Sequence, residues 1–243
     1  RVALDHDPAS LSLLGKTDLN TEIVASQITD RLVQYDERLE LKPRVAESWE
    51  FSDDHRTLTF RLREGVRWHD GTAVTADDVV FTVATAREPA NESRTYGPPL
   101  DQIEAIEAVD PRTVRVRYAH ASPGVLDSWR FPLIPRHLAG EQDLLTGAFS
   151  RHPVGCGPFR FVEHRPEEAI VLEANGDYWD GRPPIDRLVF RIYPDDRTAY
   201  HAFRIGDLDV VKVGSTVWED ARRDAPARPT KSFVYSKLSG WIV

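Results

Sequence analysis

At 243 residues, 41% apolar and 29% charged, the chain has the composition of an ordinary globular protein, with material for one large domain or two small ones. Its 31 basic and 39 acidic side chains give a net charge of −8 with no basic face, which argues against a nucleic-acid partner. No apolar run is long enough to span a bilayer, and no signal peptide or lipidated N-terminal cysteine is present. Cys156 is the only cysteine, so an internal disulfide is excluded without deciding the compartment.

Arg1 to Leu4 reads as a short opening strand, and Asp5 to Asn20 as a polar loop punctuated by Pro8 and Gly15. From Thr21 to Gln34, Ile23, Val24, Gln27, Ile28 and Val33 fall at mixed helical spacing, predicting a helix capped by Asn20 or Thr21. Tyr35 to Lys42 is a charged connector. Val45 to Phe51 and Thr57 to Arg63 are expected to be neighbouring strands joined through Ser52 to His55; Leu58, Phe60 and Leu62 alternate with Thr59, Arg61 and Arg63.

The stretch from Leu62 to Arg87 is the most structured in its local signals. Gly65 breaks the strand, Val66 to Trp68 can pair back, and Asp70-Gly71 makes a turn in which glycine supplies the positive φ. Thr75 sits where a helix N-cap belongs, with Asp78 three residues on as an acidic capping box. Val79, Val80, Val83 and Ala84 then mark one helical face, and Pro89 closes the helix.

Beyond the irregular stretch at Pro98-Pro99, Ile103 to Val109 and Thr113 to Tyr118 form a strand pair around Asp110-Pro111, with Val114, Val116 and Tyr118 as its apolar face. Ser122 to Trp129 reads as a short helix, Phe131 to Arg136 as extended, and Glu141 to Arg151 as polar loop. After Gly157 come strands, with Phe159 and Phe161, Ile170 and Leu172, and Leu188, Phe190 and Ile192 facing inward. Asp195 caps a helix that stops at Gly206; Leu208 to Val211 is a short strand, Ser215 to Arg223 a helix, and Lys231 to Tyr235 a final strand. Strands and helices mixed with hairpins, without a βα repeat, predict an α+β (mixed α/β) fold.

Catalytic chemistry finds no foothold. Gly155-Cys156-Gly157 has Arg160 at the third-glycine position of a dinucleotide loop, Pro158 removes an amide donor, and a strand follows where a helix is needed. A structural turn fits better. Cys156 reads as a small buried side chain, a reactive thiol being the weaker alternative with His152 the nearest base in sequence. The eight histidines form no metal-binding spacing. Asp77-Asp78 and Asp195-Asp196 sit at helix starts, where the macrodipole favours them. Asn91-Glu92-Ser93 fits a glycosylation triplet of the kind that arises by chance. No cofactor and no metal are expected, and no enzymatic activity.

Five motifs carry a resemblance. Pro43 to Trp49 (PRVAESW), Leu62 to Phe81 (LREGVRWHDGTAVTADDVVF), Pro153 to Phe161 (PVGCGPFRF), Glu173 to Gly181 (EANGDYWDG) and Arg204 to Val210 (RIGDLDV) resemble, in order, signatures of the family 5 extracellular solute-binding proteins. These are the peptide- and nickel-binding components of ABC importers. Cys156 stands where the family pattern usually has Thr. The resemblance implies a periplasmic-binding-protein-like lobe (type II, cluster C) with a smaller inserted domain: residues 1–31 and 152–235 as the main domain, 32–151 inserted, and 236–243 starting the hinge to a second lobe that lies outside this chain. Family members run to about double this length, so a fragment is expected, preceded in the gene by an export signal.

The implied function is capture of a peptide or similar small solute between two lobes, with delivery to ABC transporter permease subunits at the periplasmic or extracellular face of the cell membrane. A lipid anchor outside this chain, as in a lipoprotein, would be its one membrane contact, and no nucleic acid is implied. Half a cleft should bind weakly by itself. The ligand candidates are Arg130 and Trp129 before the Pro132 to Pro135 segment, Tyr96, Trp218, Tyr235 near the hinge, and Asp18 in the loop the resemblance puts at the cleft. Aromatic faces with one cation suit an amphipathic ligand bearing a carboxylate. Ordinary burial competes for each aromatic residue, and simple helix capping for Asp18; Arg130 is the first choice. Three rivals stay open: a ligand-sensing domain of the same fold in a cytoplasmic transcription regulator, a hydrolase, and a docking module for a partner protein.

Overall fold

The structure is a computed structural model that describes residues 1–223 except 9, 12, 13, 15–17, 92, 94, 95, 122, 123, 141–143, 145 and 146. In chain order its strands are β1 (Val2–Leu4), β2 (Val33–Tyr35), β3 (Leu41–Pro43), β4 (Ala46–Phe51), β5 (Thr57–Leu62), β6 (Ile103–Asp110), β7 (Thr113–Tyr118), β8 (Phe159–Arg165), β9 (Ala169–Ala174) and β10 (Arg187–Ile192). The helices are α1 (Leu19–Ile28), α2 (Ala76–Arg87), α3 (Gly97–Leu100), α4 (Arg136–Ala139), α5 (Ala148–Arg151), α6 (Asp196–Ile205) and α7 (Ser215–Arg223), with a 3₁₀ turn at Val125–Trp129.

The strands form two four-stranded sheets and a hairpin, β2-β3. The first sheet, in order β1-β10-β9-β8, is antiparallel except for the parallel β1/β10 pair. Val24 and Ile28 of α1 cover it, packing with Leu4, Phe159, Ile170, Leu172 and Phe190. Four successive β9 residues, Ala169 to Leu172, are buried, so this strand is covered on both faces. The second sheet, β4-β5-β7-β6, is antiparallel throughout. Its inner face presents Leu58, Phe60, Leu62, Val114, Val116 and Tyr118, as their alternation predicts, to Val79 and Val83 of α2 and to Trp68, Trp129 and Phe131. Outside, Arg115 faces Glu107 at 3.0 Å and Arg117 faces Glu104 at 3.3 Å, solvated pairs that each contribute little.

The capping box forms: Asp78 Oδ2 accepts the Thr75 backbone N–H at 2.8 Å and its hydroxyl at 3.1 Å. Asp78 is also buried, and its Oδ1 accepts the Arg136 N–H at 3.0 Å, tying α2 to α4. Asp78→Ala would leave those donors without partners and is expected to cost about 2–3 kcal/mol. Thermal unfolding followed by near-UV circular dichroism checks this; an unchanged midpoint would show the cap to be dispensable.

Several local expectations need correction. Helix α1 ends at Ile28, not Gln34, and its cap is Asp18, whose Oδ1 accepts the Thr21 N–H at 2.7 Å. Thr29 turns extended and returns both its N–H and its hydroxyl to Ala25 O, while the Gly157 N–H takes Ile28 O at 2.8 Å. The chain beyond is then drawn into β2, paired with β3, so Val33 is a strand residue and the charged connector is a hairpin. Val66 to Trp68 pairs not with β5 but across the Asp70-Gly71 turn, Trp68 N–H to Thr72 O at 2.8 Å and Val74 N–H to Val66 O at 3.0 Å, with Gly71 at φ 89°. The buried face of α2 is Ala76, Val79, Val83 and Ala86; Ala84 points to solvent. Residues 208–211 make only a bridge, Val2 to Val210. The Glu141 to Arg151 stretch contains α5, with Phe149 buried. The strand expected at Lys231 to Tyr235 lies outside the described residues.

Candidate functional site

The 3₁₀ turn at Val125–Trp129 ends on two side chains that part, Trp129 and the Arg130 that follows it. Trp129 goes inward, against Phe60 at 4.8 Å and Phe131 at 5.5 Å between ring centroids, and donates its indole N–H to the Tyr118 hydroxyl at 2.8 Å. Burial pushes the Tyr118 phenol up to about 12 despite that bond. Trp129 is 0% exposed, so its role here is to anchor the turn; its side chain has no open surface for a ligand.

Arg130 goes the other way. Its Nε donates to Asp127 Oδ1 at 2.7 Å and its Nη2 to Oδ2 at 3.3 Å, and the guanidinium lies 4.7 Å from the Tyr35 ring centroid. Asp127 also engages the Tyr35 phenol and thereby raises its pKa, while Arg130 holds the Asp127 carboxyl below its ordinary range. Two of the three guanidinium nitrogens are thus fixed by one carboxylate; Nη1 has no partner among the described residues, and the side chain is 37% exposed.

Tyr96, half-buried at the start of α3, shares this neighbourhood. Burial raises its phenol pKa, Glu22 raises it further, and Arg31 and Arg130 oppose. The structure therefore gathers Tyr96, Arg130 and, beneath them, Trp129, together with Tyr35, Asp127, Glu22 and Arg31, which sequence reasoning missed. The three-residue spacing of Asp127 and Arg130 in a helical turn was the available signal for one of them. Asp18 stands one turn before Glu22 and is committed as helix cap, with His6 Nε2 3.5 Å from its carboxylate. Trp218 lies on α7, which packs against α6, and remains partly exposed. Tyr235 lies outside the described residues.

Four of the five sequence motifs, all but Arg204 to Val210, meet elsewhere, at the seam between the two sheets. Asp30 Oδ2 accepts the Tyr178 hydroxyl at 2.8 Å, the Trp179 indole N–H at 3.0 Å and Arg44 Nη2 at 3.3 Å; Arg44 also bonds the Tyr178 hydroxyl and, at 2.9 Å, Asp180. The Arg44 and Arg63 guanidinia both lie against the Trp179 ring, at 4.9 and 4.7 Å. Burial and Asp30 raise the Tyr178 pKa, which keeps the phenol a donor. Nearby, Asn175 Nδ2 donates to Gly157 O at 3.1 Å and its Oδ1 accepts from Arg160 at 2.8 Å. Gly155 and Gly157 run so close to the end of α1 that a Cβ on either would meet Ile28 O, at 2.0 and 2.7 Å.

Residues 40–239 match the family model for bacterial extracellular solute-binding proteins, family 5 (middle). The chain belongs to that family. Among relatives of this family 5 protein, Heme-binding protein A of Haemophilus influenzae is 33% identical over 209 residues, covering 77% of this chain and 38% of that protein. NikZ from Campylobacter jejuni, solved in complex with Ni(L-His), superposes with a TM-score of 0.84 at 26% identity, over 92% of this chain and 45% of NikZ. The oligopeptide-binding protein AppA of Bacillus subtilis, solved with a nonapeptide, gives 0.84 at 27% identity over 91% and 45%. The family 5 chain thus spans less than half the length of these relatives, two of which are named as binding proteins.

Within the family 5 frame, Cys156 is buried and burial pushes its thiol pKa up, the condition of an inert packing residue. Among the described residues no group of three or more His, Cys, Asp or Glu is placed to hold a metal ion, and no helix is long and apolar enough to cross a membrane.

Proposed function

We propose that this chain is the ligand-receiving lobe of the substrate-binding component of an ABC importer. It captures a peptide or a similar small solute and, with a second lobe closing over the ligand, delivers it to membrane permease subunits at the periplasmic or extracellular face. Family membership supports the role, and the names of its relatives support the solute class: AppA was solved with a nonapeptide, NikZ with Ni(L-His). Residues 1–31 and 152–235 are proposed as the main domain, 32–151 as an insertion and 236–243 as the start of the hinge. The first sheet draws its strands only from the outer segments, and the second only from the middle one.

The observation that carries the site is the fixed, half-open guanidinium of Arg130. Asp127 and Tyr35 orient it, so little side-chain entropy remains to be lost on binding, and the Nη1 donors stay available for a ligand carboxylate or carbonyl. Tyr35 and Tyr96 supply aromatic surface beside it. Trp218 and Asp18 remain secondary candidates.

Isothermal titration of the full-length protein with a di- to nonapeptide panel tests this. Arg130→Ala is expected to weaken the best ligand roughly 10- to 100-fold, and Arg130→Lys less. Unchanged affinity in Arg130→Ala would remove Arg130 from the site. The 243-residue chain alone is expected to bind the same ligand far more weakly, and affinity equal to the full-length protein would contradict the two-lobe capture proposed here.

A further inference from the structure

The chain passes between the two sheets twice, at residues 29–32 after α1 and at residues 152–158 before β8. His69, at the tip of the turn joining Trp68 to Thr72, closes on the second crossing with three hydrogen bonds. Its backbone N–H donates to Gly155 O at 2.8 Å, Nδ1 stands 3.3 Å from the Gly155 N–H, and Nε2 lies 3.0 Å from Gly157 O. A carbonyl on one nitrogen and an amide N–H on the other admit a single arrangement: a neutral ring with its proton on Nε2. Gly157 in turn caps Ile28 at the end of α1 and receives Asn175, so the contact joins the turn, both crossings and the first sheet.

We propose that His69 is an acid-sensitive latch: a second ring proton sets donor against donor at Gly155 and frees the 153–158 crossing from the turn before the chain unfolds as a whole. The buried surroundings favour the neutral state. Burial pushes the imidazole down to about 4 and the Arg160 cation adds to this, against the Gly157 carbonyl and Asp70. Arg160 is itself held by Asn175 and by Asp177 at 3.0 Å, while Asp70 is taken up by His137 at 2.6 Å and by the Thr72 N–H.

The folded pKa lies below the free value, so the latch is fully closed above pH 6.5 and weakens as pH falls toward 4. If the opened ring titrates as free histidine, the opening equilibrium rises about 30-fold at pH 5 and on the order of 300-fold below pH 4. This inference does not depend on the importer role.

Hydrogen-exchange mass spectrometry on the intact chain at pH 7 and pH 5, corrected for intrinsic exchange, reads it out. Protection across 153–158 is expected to fall about 20-fold from pH 7 to pH 5 while β9 keeps its own, and in His69→Gln the pH dependence should vanish. Parallel behaviour of 153–158 and β9, or the same loss in His69→Gln, would overturn the proposal. Should that variant not fold, the His69 ring is titrated by NMR in the unaltered chain: an ordinary histidine midpoint overturns the latch, and a midpoint near 4 together with the selective loss at 153–158 supports it.

Discussion

Asp30→Ala is expected to lower the free energy of unfolding by about 3–5 kcal/mol, a large part of what holds a domain of this size together. The carboxylate is 3% exposed and accepts from Tyr178, Trp179, Arg44 and the Arg31 N–H at once. Removing it leaves a half-buried guanidinium with only the exposed Asp180 as charge partner and an indole N–H and a phenol without acceptors, and an unmade buried bond costs more than a made one contributes. Urea unfolding followed by tryptophan fluorescence should show a lower midpoint with an unchanged slope. The double variant Asp30→Ala/Arg44→Met should lose less than the sum of its parts, because no lone charge then remains inside. A loss below about 1 kcal/mol for Asp30→Ala would place the network with ordinary surface ion pairs.

Gly155→Ala should be of similar severity for a different reason. The added carbon would sit 2.0 Å from Ile28 O, a backbone atom that cannot turn aside, and the Gly157 N–H bond to that oxygen would be pushed apart with it. At least about 3 kcal/mol is expected, lowering the melting temperature by roughly 6–12 °C. Gly176→Ala is the control: nothing lies within 4 Å of its added carbon, and its effect should stay within about 0.5 kcal/mol. Equal behaviour of the two variants would refute the close-approach explanation.

What could be read along the chain was what neighbours in sequence decide. The alternation of β5 and β7, the Thr75–Asp78 cap, the Asp70-Gly71 turn and the Asp195 cap of α6 all stand as expected, because each is settled within a few residues. The errors fall where distant chain intervenes. Val33 has helical spacing, but Thr29 and Gly157 satisfy the carbonyls that a longer α1 would have used, and β3 offers Val33 a partner. Arg130 could be singled out as a cation among aromatics. Tyr35, almost a hundred residues earlier, could not be joined to it, since only the folded chain brings β2 to the 3₁₀ turn. Trp129 was a candidate beside it, with ordinary burial as its rival reading, and the folded chain turns it inward.

The segments that make this family recognisable contribute Arg44, Arg63, His69, Gly155, Gly157, Tyr178 and Trp179, and every one of them is occupied in joining the two sheets. Tyr35, Asp127 and Arg130 stand outside those segments and make no bond to these fasteners among the described residues. On the proposed site, joinery and cargo handling fall in separate parts of the chain. Relatives as different as one named for heme, one solved with a nickel–histidine complex and one solved with a nonapeptide resemble this chain over the same residues. If Arg130 holds the ligand as proposed, a protein engineer could randomise Tyr35, Asp127 and Arg130 together to seek new ligands and leave the scaffold's stability almost untouched.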